Sequence, residues 1–172
     1  STATRFESLD TAATQLVAPN GYALASEGRS LRAAELVEEM AAWSDDYPIV
    51  SIEDALGEDD GEGWGLVTGR LADRVQLLGD DLFATSPERL RAGIRAGVAN
   101  AVLVKPNQVG TLTDARRVVE IAKKAGYATV LSARSGETED AWLADLAVGW
   151  RSGQIKVGST MRSERTAKWN RL

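Results

Sequence analysis

Short apolar runs alternate along the chain with longer stretches in which apolar positions recur every three or four residues. The first pattern fits strands buried in a parallel sheet and the second fits helices packed on it, so the order reads as repeated βα units. Six strands are expected, at residues 5–9, 49–52, 75–78, 101–104, 129–131 and 155–157. Between them, Ser86-Pro87 reads as a helix cap followed by proline at the first helical position, where its missing N–H costs nothing, with Leu90 and Ile94 on the buried face. A further helix is expected from Thr113, with Val118, Ile121, Ala122 and Ala125 on its apolar side and Gly126 as its left-handed stop. Residues 31–43 and 137–148 read as helices too. The glycine- and acid-rich stretch 57–69 reads as a loop leading into a short helix at 64–71. Trp43, Trp64, Trp142, Trp150 and Trp169 fall mostly on these helices, which assigns them to packing.

Composition narrows the chemistry. The 172 residues suffice for one domain, taken as 1–172, but fall short of the ~250 of a complete (β/α)8 barrel. The net charge of −5 arises from 20 basic and 25 acidic residues mixed along the chain, so no basic stripe points to nucleic acid or anionic lipid. Cysteine and histidine are both absent, which excludes disulfides, thiolate chemistry, the usual zinc ligands and the commonest acid/base group at neutral pH. Carboxylates, lysines and hydroxyls are left to carry any reaction. No apolar run is long enough to span a membrane and no secretory pattern opens the chain, so a cytoplasmic location is expected.

Polar residues recur at the C-terminal ends of the expected strands: Asp10, Glu53, Asp80, Lys105 and, slightly later, Arg134, with Lys156 inside the last strand. In a parallel barrel those ends gather on the face where catalytic groups sit. Convergent carboxylates raise one another's pKa unless a cation is shared among them, and an all-oxygen donor set favours Mg2+. Each acid, taken singly, is also an ordinary helix cap or loop charge. A lysine serves as a base only where a cation, a second lysine or burial disfavours its ammonium form; otherwise it is a solvated surface charge. Arg134, Ser135 and Gly136 add a guanidinium, a hydroxyl and an approachable backbone ahead of an expected helix, a combination suited to a phosphate or carboxylate.

Several segments together resemble the enolase family in order and spacing: Tyr47-Pro48-Ile49-Val50-Ser51-Ile52-Glu53-Asp54, Gly79-Asp80-Asp81-Leu82-Phe83, and Lys105-Pro106-Asn107-Gln108-Val109-Gly110-Thr111. Arg134-Ser135-Gly136-Glu137-Thr138-Glu139-Asp140, Gly153-Gln154-Ile155-Lys156, Arg162-Ser163-Glu164-Arg165 and Ala167-Lys168-Trp169-Asn170 extend the resemblance to nearly the whole chain. It implies an α/β fold, a (β/α) barrel of enolase type with about six of its eight units present and the N-terminal domain absent. It also implies Asp10, Glu53 and Asp80 as Mg2+ ligands, Lys105 as the base removing the C2 proton of 2-phosphoglycerate, Arg134 and Ser135 on the phosphate, and Lys156 on the carboxylate and enolate charge. A lysine base working with one or two Mg2+ ions is the known pattern of enolase-superfamily sites.

The sequence departs from that family at Ala133, where enolases carry histidine, and at Thr14-Gln15-Leu16, where Ser-Glu-Phe is usual. The family's general-acid glutamate belongs to parts preceding the point where this chain starts. The expectation is therefore a chain that catalyses poorly alone, completed by an N-terminal half in the same or another polypeptide and forming a homo-oligomer when complete. Its expected substrate is a small phosphorylated carboxylate. Alternatives are a diverged relative acting on a phosphonate or another carboxylated phospho-substrate, and a non-catalytic binding or scaffold protein that kept the fold.

Overall fold

A computed structural model describes residues 6–172. The chain divides into two compact units, residues 1–82 with 92–100, and residues 83–91 with 101–172.

The first unit holds three parallel strands, β1 (Glu7–Asp10), β5 (Ile49–Glu53) and β6 (Gln76–Gly79), in the order β1-β5-β6. Register sets Asp10 opposite Glu53 and Glu53 opposite Leu78. Between β1 and β5 lies an antiparallel sheet that the apolar pattern did not announce: β2 (Val17–Ala18), β3 (Gly21–Leu24) and β4 (Arg29–Leu31). These strands are only two to four residues long and half exposed, so neither length nor alternation marks them in the sequence. Helix α1 (Ala33–Asp46) follows; Leu31, expected to be helical, pairs instead with Tyr22 in the β3–β4 ladder. Leu36, Val37, Met40 and Ala41 form the buried stripe of α1. Helix α2 (Gly61–Leu71) starts earlier than expected, because the Asp60 carboxylate accepts the Gly63 N–H at 2.8 Å and caps it. It buries Trp64, Val67 and Leu71. Helix α3 (Pro87–Ala96) is divided between the two units, residues 87–91 in the second and 92–96 in the first; it begins, as expected, at Pro87, with Ser86 Oγ accepting the Arg89 N–H and Leu90 buried.

The second unit contains β7 (Ala101–Val104), the short α4 (Pro106–Val109), α5 (Leu112–Lys124), β8 (Ala128–Ser132), α6 (Trp142–Gly149), β9 (Gly153–Lys156) and α7 (Ser163–Arg171). β7, β8 and β9 are parallel, with Ser132 opposite Lys156. All four residues of β7 are buried, which explains its uninterrupted apolar sequence. Thr111 caps α5, and Gly126 takes the expected left-handed conformation after it. Ala125 proves exposed; the buried face of α5 is Ala115, Val118, Val119 and Ala122.

Six strands thus occupy the expected stretches within a residue or two, with Arg5 lying outside the described residues. The helix expected over 137–148 is a correction: it begins only at Trp142. Polar side chains hold residues 137–141 in another conformation. Glu137 accepts the Arg134 N–H, Thr138 Oγ1 accepts the Asp140 N–H, and Asp140 accepts the Trp142 N–H. Such local bonds compete with helix formation. The tryptophans divide as well. Trp64 is fully buried and donates its indole N–H to Gly57 O at 3.1 Å, whereas Trp43 and Trp142 are exposed.

Candidate functional site

The acidic residues of interest gather at the C-terminal ends of β1, β5 and β6. Asp10 ends β1 and Glu53 ends β5, and their pairing in register places both backbones side by side. Asp80 follows β6 directly; Glu53 and Asp80 are buried and Asp10 is exposed. Sequence reasoning passed over Asp54. This residue is buried at a positive φ of 43°, a conformation aspartate tolerates better than most residues. Its two carboxylate oxygens accept the backbone N–H groups of Asp80 and Asp81, each at 2.9 Å. Its own N–H donates to Leu78 O at 2.9 Å, so Asp54 ties the end of β5 to the turn after β6.

Burial pushes the Asp54 carboxyl up to about 6, with the neighbouring charges of Asp80 and Asp81 adding to the rise and the two backbone N–H groups opposing it. Asp54, Asp80 and Asp81 together offer ligand atoms within 4.8 Å of one another. The donor set is all oxygen, from a chain without histidine or cysteine, and this fits a hard divalent cation. Because both oxygens of Asp54 already hold backbone N–H groups, its geometry suits a support that orients Asp80.

The basic and hydroxyl groups lie in the second unit. Lys105 follows β7, and its backbone N–H donates to Thr85 Oγ1 at 2.9 Å. Thr85 is fully buried at a positive φ of 55° and donates to Gln108 Oε1. No sequence signal distinguished Thr85, since its partners lie 20 and 23 residues away.

Arg134, Ser135 and Lys156 share a cavity of about 340 Å³ with Ala133, Arg162 and Arg165. Ala133 N–H donates to Lys156 O at 2.9 Å, joining the end of β8 to the end of β9. Three arginines and a lysine around one cavity suit an anion, and the arginines add planar donors. The helix N-terminus expected beside Ser135 is not there, because α6 starts at Trp142. A different cavity, of about 420 Å³, is lined in the first unit by Tyr22, Gly57 and the acids Glu58, Asp59 and Asp60, and would repel an anion.

The family model for "Enolase, C-terminal TIM barrel domain" matches residues 6–172. The chain belongs to the enolase family. A curated relative, the enolase of Sulfurimonas denitrificans, is 54% identical over 164 residues, covering 95% of this chain and 39% of that protein. The chain therefore spans well under half the length of this relative. Its α/β architecture, with three parallel strands in each unit, is that of the enolase barrel domain. Among the described residues, Asp54, Asp80 and Asp81 form a cluster that could hold a metal ion, in keeping with a divalent metal in the enolase family. Among the described residues no helix is long and apolar enough to cross a membrane.

Proposed function

We propose that this chain supplies the metal-binding and anion-binding parts of an enolase-type carbon–oxygen lyase acting on 2-phosphoglycerate. The observation that carries the reading is the in-register pairing of Asp10 with Glu53, followed by Asp80 with its backbone N–H held by Asp54. In this reading Asp10, Glu53 and Asp80 hold Mg2+. The ion, when bound, supplies positive charge that offsets the negative charge developing on the substrate carboxylate.

Lys105, as the free amine, takes the C2 proton, and the C2–H electron pair moves toward the carboxylate. Arg134 and Ser135 hold the phosphate and so fix C2 with respect to the base. Lys156 balances the carboxylate and the enolate charge. Breaking the C3–O bond returns those electrons to form the C2–C3 double bond of phosphoenolpyruvate, and the leaving hydroxyl takes a proton from a general acid. Family membership and the acid-and-lysine pattern at the strand ends support these roles.

A second reading rests on Ala133, which lines the anion cavity. A side chain this small suits a bulkier phosphonate or carboxylated phospho-substrate.

The first reading is tested by proton exchange in D2O, which requires only base and metal. With Mg2+ present, the C2 hydrogen of 2-phosphoglycerate is expected to exchange, and Lys105→Ala to abolish the exchange while leaving Mg2+ binding intact. Full Mg2+ binding without any exchange would sink it. Gain of exchange in Ala133→His would favour the second.

A further inference from the structure

Residues 133–141 carry Arg134 and Ser135 yet form no helix or strand, so their backbone groups find partners elsewhere. Two cations from α7 provide them. Arg165 Nη1 donates to Arg134 O at 2.7 Å and to Val157 O at 3.1 Å, and Nη2 donates to Ser135 O at 2.8 Å. One planar guanidinium thereby joins the loop after β8 to the residue after β9. Its side chain is 11% exposed. Three residues later, on the same face of the helix, Lys168 is 1% exposed. Its Nζ donates to Thr138 O at 2.8 Å and to Glu164 O at 3.0 Å, and it pairs with Glu137 Oε2 at 3.0 Å. The other oxygen of Glu137 accepts the Arg134 N–H at 2.9 Å, so Lys168 also acts on Arg134 through Glu137.

We propose that Arg165 and Lys168 are positioning residues: together they clamp the 134–138 loop, setting the geometry with which Arg134 and Ser135 receive a phosphate. This rests on the reading of Arg134 and Ser135 as the anion grip. Arg165 lines the cavity, but three of its N–H bonds point at protein carbonyls. Its contribution therefore lies in the fork as well as in the charge. A lysine keeps the charge but lacks the planar fork whose two nitrogens reach these carbonyls.

The test is calorimetric titration of the full chain with inorganic phosphate, comparing wild type, Arg165→Lys, Arg134→Met and Val118→Ala. Val118 is buried on α5, so its truncation controls for a general loss of stability. Arg165→Lys is expected to weaken binding about tenfold or more, as small misplacements of oriented groups do, while Val118→Ala stays within about twofold of wild type. Amide exchange should quicken over 134–138 in Arg165→Lys and remain slow in β8. Wild-type affinity in Arg165→Lys would overturn the clamp. Wild-type affinity in Arg134→Met, or no binding by wild type, would instead overturn the anion grip itself. Should Arg165→Lys lose protection in β8 as well, Lys168→Met decides the matter. Weakened phosphate binding with β8 protected supports the clamp, and unchanged affinity refutes it.

Discussion

Tyr22→Phe removes one oxygen that is both donor and acceptor in a buried network. Tyr22 is 3% exposed, and its hydroxyl donates to Asp60 Oδ2 at 2.6 Å while accepting the Gly57 N–H at 3.0 Å. Gly57 O in turn accepts the Trp64 indole, and Asp60 Oδ1 caps α2. The phenylalanine ring refills the space, so the cost falls on the two bonds. Asp60 keeps its bond to Gly63 and some contact with solvent, and losing the donor there costs about 1 kcal/mol; the buried Gly57 N–H loses its acceptor, which costs about 1–3 kcal/mol. Urea denaturation at pH 8 should show a loss of about 2–4 kcal/mol.

The pH dependence gives an independent check. Burial first, and then the hydrogen bond to Asp60, raise the Tyr22 pKa above its usual 10.0. A group with a raised folded pKa stabilises the fold fully below its unfolded pKa and loses that contribution as pH rises through the folded one. Wild type should therefore lose stability relative to Tyr22→Phe above about pH 10, with the other tyrosines cancelling in the difference. A gap below about 0.5 kcal/mol at pH 8, or one unchanged between pH 8 and pH 11, would refute the reasoning.

Two further outcomes are expected. Asp54→Ala removes the acceptors of both the Asp80 and Asp81 N–H groups and places alanine at positive φ. Mg2+ affinity by calorimetry should fall about 10–100-fold, the usual effect of losing a group that orients a ligand. Trp64→Phe deletes the indole donor to Gly57 O from a fully buried position. Chemical denaturation should register a loss of about 2–3 kcal/mol, combining a lost hydrogen bond with a residual cavity.

Much of the scaffold was legible in the residues themselves. Short apolar runs pointed to all six strands; they are densest in β7 and β8, because a strand buried in a parallel sheet needs apolar side chains on both faces, and thinnest in β1 and β9, which are mostly exposed. Asp10, Glu53, Asp80 and Lys105 could be placed at strand ends for the same local reason, whereas Lys156, expected inside the last strand, proves to end it; the caps at Ser86 and Gly126 followed from single-residue preferences. The short antiparallel sheet and the 137–141 loop were not legible, since their strands carry no period and their backbone is held by side-chain bonds that compete with a helix.

Only tertiary structure selected the partners around the chemistry. Asp54 meets Asp80 across 26 residues, Tyr22 meets Asp60 across 38, and Arg165 meets Arg134 across 31. Nothing in the spacing of such pairs distinguishes them from other acids, tyrosines or arginines on the chain. Their bonds form because packing brings the two segments together and shields the groups from water, where an unmet donor or acceptor costs far more than a met one gains. The sequence thus determined which groups are available and which strands carry them, and the folded chain decided which of them hold the others in place.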